Sequence, residues 1–168
     1  MKNLLAMSEQ KKMLPNVSGS NLLRQKIKLP SDLRGNLNLL FIAFYQWQQM
    51  EVDSWLPLVH ELEQTQSGFH YYELPTIKRM NVLAQKFINE GMRAGIPDHS
   101  NRERTITLYI DKQAFKRELN MPDEDHIYVL FPDQVGKVLW CARGEMTVEY
   151  SQLLWHASKE LSLQAKIT

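Results

Sequence analysis

The sequence predicts an α/β fold in which a central mixed β-sheet carries helices on both faces, in the order β-α-β-α-β-α-β-β-α. Three observations predict it. The first is the run Leu39-Leu40-Phe41-Ile42-Ala43-Phe44-Tyr45, too short for a membrane span and too unbroken for a half-exposed strand. Such a run reads as a strand covered on both faces. The second is a change of period after the polar turn Gln46-Trp47-Gln48-Gln49: Val52, Trp55, Leu56, Val59 and Leu62 share one face of a helix. The third is the pair of apolar runs Ile127–Phe131 and Lys137–Ala142 around Pro132-Asp133-Gln134-Val135-Gly136, a hairpin signal. Strand–helix alternations build a parallel group, and the hairpin adds antiparallel strands.

The chain of 168 residues is long enough for a sizeable core and is read as one domain over 14–168, preceded by a flexible tail or short docking segment at 1–13. Its formal net charge of +1 and pI near 7.9 give no field for nucleic acid. Met1–Lys12 has only Leu4-Leu5-Ala6-Met7 as an apolar stretch, shorter than the apolar core of a signal peptide. Glu9 and the lack of arginine there argue against an intact transit peptide. No stretch is apolar enough to cross a bilayer.

Taken in order, Leu14–Ser20 reads as a helix breaker leading to a short edge strand, Ile27-Lys28-Leu29-Pro30. Asp32–Asn36 is a turn, with Gly35 available for a positive φ. The central strand and first helix follow, with a kink expected at Pro57. Phe69–Leu74 is a strand ended by Pro75, and Lys78–Glu90 is a helix with Met80, Leu83, Phe87 and Ala84 on its buried side. Met92–Arg104 reads as a polar loop, Thr105–Ile110 as a strand, and Asp111 as the cap of a helix over Lys112–Leu119. After the hairpin, Thr147 or Ser151 opens a last helix with Leu153, Leu154, Ala157 and Leu161 inward.

The hairpin Tyr128-Val129-Leu130-Phe131-Pro132-Asp133-x-x-Gly136-Lys137-Val138 resembles the strand–Asp–Gly–strand of the thioredoxin-like fold in its peroxiredoxin-type variant. Further residues come in a recognisable order: Pro15-x-x-x-Gly19-x-x-Leu22, Leu29-Pro30-x-Asp32-Leu33-x-Gly35, Ser54-Trp55, Gly91-Met92-Arg93 and Asp133-x-x-Gly136-x-x-x-Trp140-x-x-x-Gly144. On these residues the chain resembles, within that superfamily, the mitochondrial ATP synthase assembly factor family. The resemblance implies a protein partner, a subunit of a membrane complex such as the ATP synthase, and it supplies no catalytic motif. It also implies a place to look for redox cysteines. Taking Pro57 as the helix-kinking proline of thioredoxin-like proteins puts them at Gln49 and Val52, and anchoring on Trp47 puts them at Gln48 and Glu51. Neither register holds sulfur.

The end of a central strand entering a helix is the usual ligand crevice of an open α/β sheet. Gln46, Trp47, Gln48, Gln49, Met50 and Glu51 are therefore the candidate partner or ligand site, with Arg93 as a further candidate. Trp47 reads either as a contact anchor or as a cover for the sheet end. Arg93, Arg102 and Arg104 read either as a basic patch or as a solvated face. Cys141, the single cysteine, reads as a structural strand residue, the other reading being a reactive thiol. The histidines lack ligand spacing, and no phosphate-binding glycine loop or Gly-x-Ser-x-Gly elbow occurs, so no metal and no cofactor is expected. The function expected is a non-redox interaction protein, an assembly factor or chaperone. The alternative is a weak peroxidase or reductase using Cys141, or a small-ligand activity at Gln46–Glu51. The expected compartment is reducing: the cytoplasm, or the mitochondrial matrix or plastid stroma after loss of a presequence.

Overall fold

The computed structural model describes residues 12–167. Most of the expected tail at 1–13 lies outside the described residues. At its end, the Val138 N–H donates to the Lys12 carbonyl at 2.9 Å, and Met13 bridges Lys137.

The described elements are β1 (Val17–Asn21), β2 (Lys26–Leu29), β3 (Leu37–Ala43), a 3-10 turn (Gln46–Gln48), α1 (Gln49–Thr65) and β4 (Phe69–Lys78). Then come α2 (Val82–Gly95), α3 (His99–Arg104), β5 (Ile106–Ile110), α4 (Lys112–Glu118), β6 (Tyr128–Pro132), β7 (Val138–Arg143) and α5 (Val148–Ala165). The strands form one sheet in the order β2-β1-β5-β4-β3-β6-β7. Strands β3, β4 and β5 run parallel, and every other pairing is antiparallel. The ends of β3, β4 and β5 therefore share one edge of the sheet, and β6 starts there.

The alternation within β3 divides the core in two. Leu37, Leu39 and Phe41 pack beneath α1 and α5, with Val52, Trp55, Val59, Leu62 and Leu154. Leu40 and Ile42 pack on the other face with Phe115, Leu119 and Met121, in and after α4. Helices thus cover both faces, as the apolar run in β3 requires. In α1 the buried set includes Leu58, and Leu56 is only partly covered. The helix runs on through Pro57.

Five local expectations are corrected. Val17–Asn21 is a strand, not a mere breaker: at Gly19 a Cβ would lie 2.6 Å from the Thr107 carbonyl oxygen, so the missing side chain lets β1 approach β5. Gly35 likewise serves close approach, since its Cβ would lie 2.7 Å from the Gly68 carbonyl oxygen. Strand β4 passes through Pro75 to Lys78, because Pro75 sits where the ladder to β3 ends and the ladder to β5 begins at Thr76. A residue without an N–H is tolerated at such a changeover. The helix expected over Lys78–Glu90 starts at Val82, capped by Asn81, whose Oδ1 accepts the Ala84 N–H at 2.8 Å. It continues to Gly95, and α3, capped by Asp98, occupies part of the expected polar loop.

The fifth correction concerns which way α2 faces. None of its residues is buried, and Leu83 and Phe87, expected inward, are exposed. The reason lies in the sheet beneath. Residues Leu108 and Ile110 of β5 point to the α4 side, so Tyr109 between them points to the side carrying α1. There the Tyr109 hydroxyl donates to Asn89 Oδ1 at 2.8 Å, with the Gln85 carbonyl at 3.2 Å. The helix meets the sheet through half-buried Ala84, Gln85, Ile88 and Asn89, and Val82, Leu83 and Phe87 turn out.

Candidate functional site

Strand β3 ends at Ala43, and the chain leaves the sheet through Phe44 and Tyr45 into the 3-10 turn. Gln48 fixes that exit. Its side chain is 0% exposed. Its Oε1 accepts the Phe44 N–H at 2.8 Å and the Tyr45 N–H at 3.3 Å, and its Nε2 donates to the Glu124 carbonyl at 2.6 Å. Glu51, one turn into α1, is also buried. Its Oε2 accepts the Ile127 N–H at 2.8 Å and its Oε1 lies 2.6 Å from His126 Nδ1. Two side chains of the loop thus satisfy backbone groups that the strand end and the start of β6 would otherwise leave unpaired. At the expected sheet-end crevice the side chains of Gln48 and Glu51 are buried and bonded to the end of β3 and the start of β6.

Glu124 forms the second tier. Lys112 and Lys116 each place Nζ 2.9 Å from its carboxylate. Burial alone would raise its pKa, but hydrogen bonds from Lys112, Lys116 and Tyr45 hold it down, to about 2. The same contact raises the Tyr45 phenol above its ordinary range, led by the Glu124 hydrogen bond. Beside it, Gln49 donates from Nε2 to Asp53 Oδ1 at 3.0 Å and to Glu73 Oε2 at 3.3 Å. Burial pushes the Glu73 carboxyl up.

Above this frame stands a row of uncovered apolar groups. Tyr45 and Trp47 stack with centroids 6.4 Å apart and planes 8° from parallel. The Trp47 side is not a plug, because the residue is 56% exposed. Met50 is exposed next to it, as are Gln46 and Gln49. Lys112 Nζ lies 5.5 Å from the Tyr45 ring centroid, close enough for a cation–π contact. The result is an aromatic ledge on a rigid base.

The expected site residues are therefore split. Gln46, Trp47, Gln49 and Met50 lie on the surface of the ledge, while Gln48 and Glu51 lie beneath it as supports. Arg93 is elsewhere, in the last turn of α2, roughly 16 Å along the helix from the end nearest the ledge edge. The arginines do not form a free patch. Arg102 donates to the Ile96 and Arg93 carbonyls at 2.6 and 2.9 Å, and Arg104 pairs with Glu63 at 3.0 Å over the Tyr71 ring. Tyr45, Lys112, Lys116, Glu124 and His126 were not anticipated. One signal pointed to the last two: β6 is antiparallel to β3, so the residues just before it must sit where β3 ends.

Cys141 lies away from the ledge. It pairs with Leu130, which pairs with Leu40 in mid-sheet. Burial pushes its thiol up, partly opposed by Lys12. A thiol so placed is mostly protonated near neutral pH and a poor nucleophile. Among the described residues no group of three His, Cys, Asp or Glu side chains is placed to hold a metal. No helix among them is long and apolar enough to cross a membrane.

The comparisons with known proteins agree with this geometry. The family model described as ATP10 protein matches residues 5–161. No curated protein matches the chain. Among solved structures, the exposed lipoprotein thioredoxin Etrx1 of Streptococcus pneumoniae is 15% identical, covers 87% of this chain and 99% of its own, and has a TM-score of 0.54. A thiol:disulfide interchange protein DsbE from Chlorobium tepidum is 16% identical over 91% of this chain and 98% of its own, with a TM-score of 0.55. BsSco, a member of the Sco family of cytochrome c oxidase assembly proteins, is 13% identical over 91% and 95%, with a TM-score of 0.56. At these identities the likeness speaks for the fold, which is thioredoxin-like.

Proposed function

The chain belongs to the ATP10 protein family, and from that premise we propose that it is a non-redox assembly factor or chaperone that holds a subunit of the ATP synthase. The contact surface is the ledge of Tyr45, Trp47 and Met50 with Gln46 and Gln49 at its margins. One observation carries this reading. At the strand end where a thioredoxin-like protein would present a reactive thiol, this chain presents an exposed aromatic pair on a base locked by Gln48 and Glu51. A large apolar area offered without motion is what a binding anchor needs, because little ordering remains to be done on association. The same loop offers no nucleophile, and the thiol of Cys141 is held mid-sheet and protonated. The partner is a protein and the work is recognition.

The test is co-purification of ATP synthase subunits with the tagged full chain, wild type beside Cys141→Ser. The expected result is equal capture of a synthase subunit by both. Failure of the wild type to capture any synthase subunit contradicts the assembly role. Loss of capture in a folded Cys141→Ser variant contradicts the non-redox one.

A further inference from the structure

We propose that the outward face of α2 docks the protein on an anionic phospholipid surface. The face is built by Val82, Leu83 and Phe87, which are 79%, 80% and 83% exposed. Leu83 and Phe87 are four residues apart and form a ridge. Gln85 and Asn89, each two residues further on and so about 200° around the helix, hold the opposite side to Tyr109. The orientation is fixed by those hydrogen bonds, so the apolar ridge cannot roll inward without breaking them.

The charge around the ridge selects the occupant. From Leu74 to Asn89 the chain carries Lys78, Arg79 and Lys86, all exposed, and no acidic residue. The next carboxylate, Glu90, is engaged by Arg24 at 3.0 Å. Asp111, adjacent to Ile110 whose carbonyl accepts the Arg79 N–H, is occupied in accepting the Ala114 N–H. An apolar helix face of Leu, Val and Phe rimmed by Lys and Arg is the pattern that lies in a bilayer interface. The N-terminal half of α2 also lies at the sheet edge that carries Trp47 and Met50, which are exposed as well.

This inference goes beyond the proposed partner and is tested without it. The purified full chain is sedimented with vesicles of phosphatidylcholine plus phosphatidylglycerol and with vesicles of phosphatidylcholine alone. Binding is expected to the mixed vesicles, weakened by salt. It should fall about fivefold for each of Lys78→Gln, Arg79→Gln and Lys86→Gln. Leu83→Ser with Phe87→Ser should abolish it with the unfolding midpoint unchanged, and Val135→Ser, an exposed apolar site on the β6–β7 turn, should leave it intact. No binding to either vesicle overturns the proposal. So does binding that ignores the α2 variants, and so does loss of synthase-subunit capture in those variants without any vesicle binding by the wild type, which would assign the ridge to a protein.

Discussion

Helices α1 and α2 enter from the same edge of the sheet and lie on the same face, yet they are seated in opposite ways. Helix α1 buries its apolar stripe on Leu39, Phe41 and Tyr71, and Trp55 Nε1–H donates to the Gly144 carbonyl at 3.0 Å. Helix α2 rests on Tyr109 through Asn89 and the Gln85 carbonyl and leaves Val82, Leu83 and Phe87 uncovered. Periodicity tells that each is amphipathic; the sheet residue beneath tells which side goes down. The first helix is held by fully buried apolar side chains and the second by half-buried Ala84 and Ile88 together with the Tyr109 hydrogen bonds, so the second has apolar surface left for another contact.

The sharpest way to break that contrast is at Trp55. Trp55→Ala should lower stability by about 3–5 kcal/mol, from the cavity and the orphaned Gly144 carbonyl, while Leu83→Ser should stay within about 0.5 kcal/mol. Denaturant midpoints of the two variants, with equal slopes, measure the difference. Next comes acid. Glu124 has its folded pKa depressed to about 2 from the ordinary 4.5, so its contribution is full above 4.5 and is lost as pH falls through the lower value. Glu124→Gln should flatten the fall of stability across that window; an unchanged acid profile would show that the lysine cluster does not brace the ledge. Gln48→Ala should cost about 1–3 kcal/mol, because the Phe44 N–H and Glu124 carbonyl lose their partner in a buried site. Equilibrium unfolding checks it.

The smallest effect is expected at Tyr109→Phe, about 1 kcal/mol, but it should be local. Amide exchange should quicken over α2 and not over α1. Burial raises the Tyr109 phenol to about 12 from 10.0, so docking of α2 is stable below pH 10 and weakens as pH rises through the upper value. Exchange rates in α2 that do not respond to either change would contradict a hydrogen-bonded seat.

Much of the architecture was legible in sequence. The run that opens at Leu39 reads as a strand covered on both faces and forms β3, Asp111 caps a helix as its position implied, and of the two residues offered for the last helix Thr147 is the cap. The orientation of α2 was not legible, since it depends on a tyrosine brought in from β5. Nor was β1, whose Val-Ser-Gly-Ser composition has weak strand propensity and becomes a strand because Gly19 fits against Thr107. At the ledge, the sequence marked Gln46–Glu51 but could not sort them. Gln48 stood in a polar turn with nothing to set it apart and is fully buried, because the backbone groups it satisfies include one supplied from residue 124. The aromatic Tyr45 read as the last residue of a strand and instead stacks on Trp47.

The central claim is that the ledge is a surface for contact and not a lid on the sheet. Its most direct test is one Trp47→Ala sample on which both the unfolding midpoint and the affinity for the captured ATP synthase subunit are measured. A side chain 56% exposed leaves little cavity when removed, so the midpoint should hardly move. An interface anchor is worth about 2 kcal/mol or more, so affinity should fall roughly thirtyfold. A large loss of stability with normal affinity from the folded fraction would contradict the account.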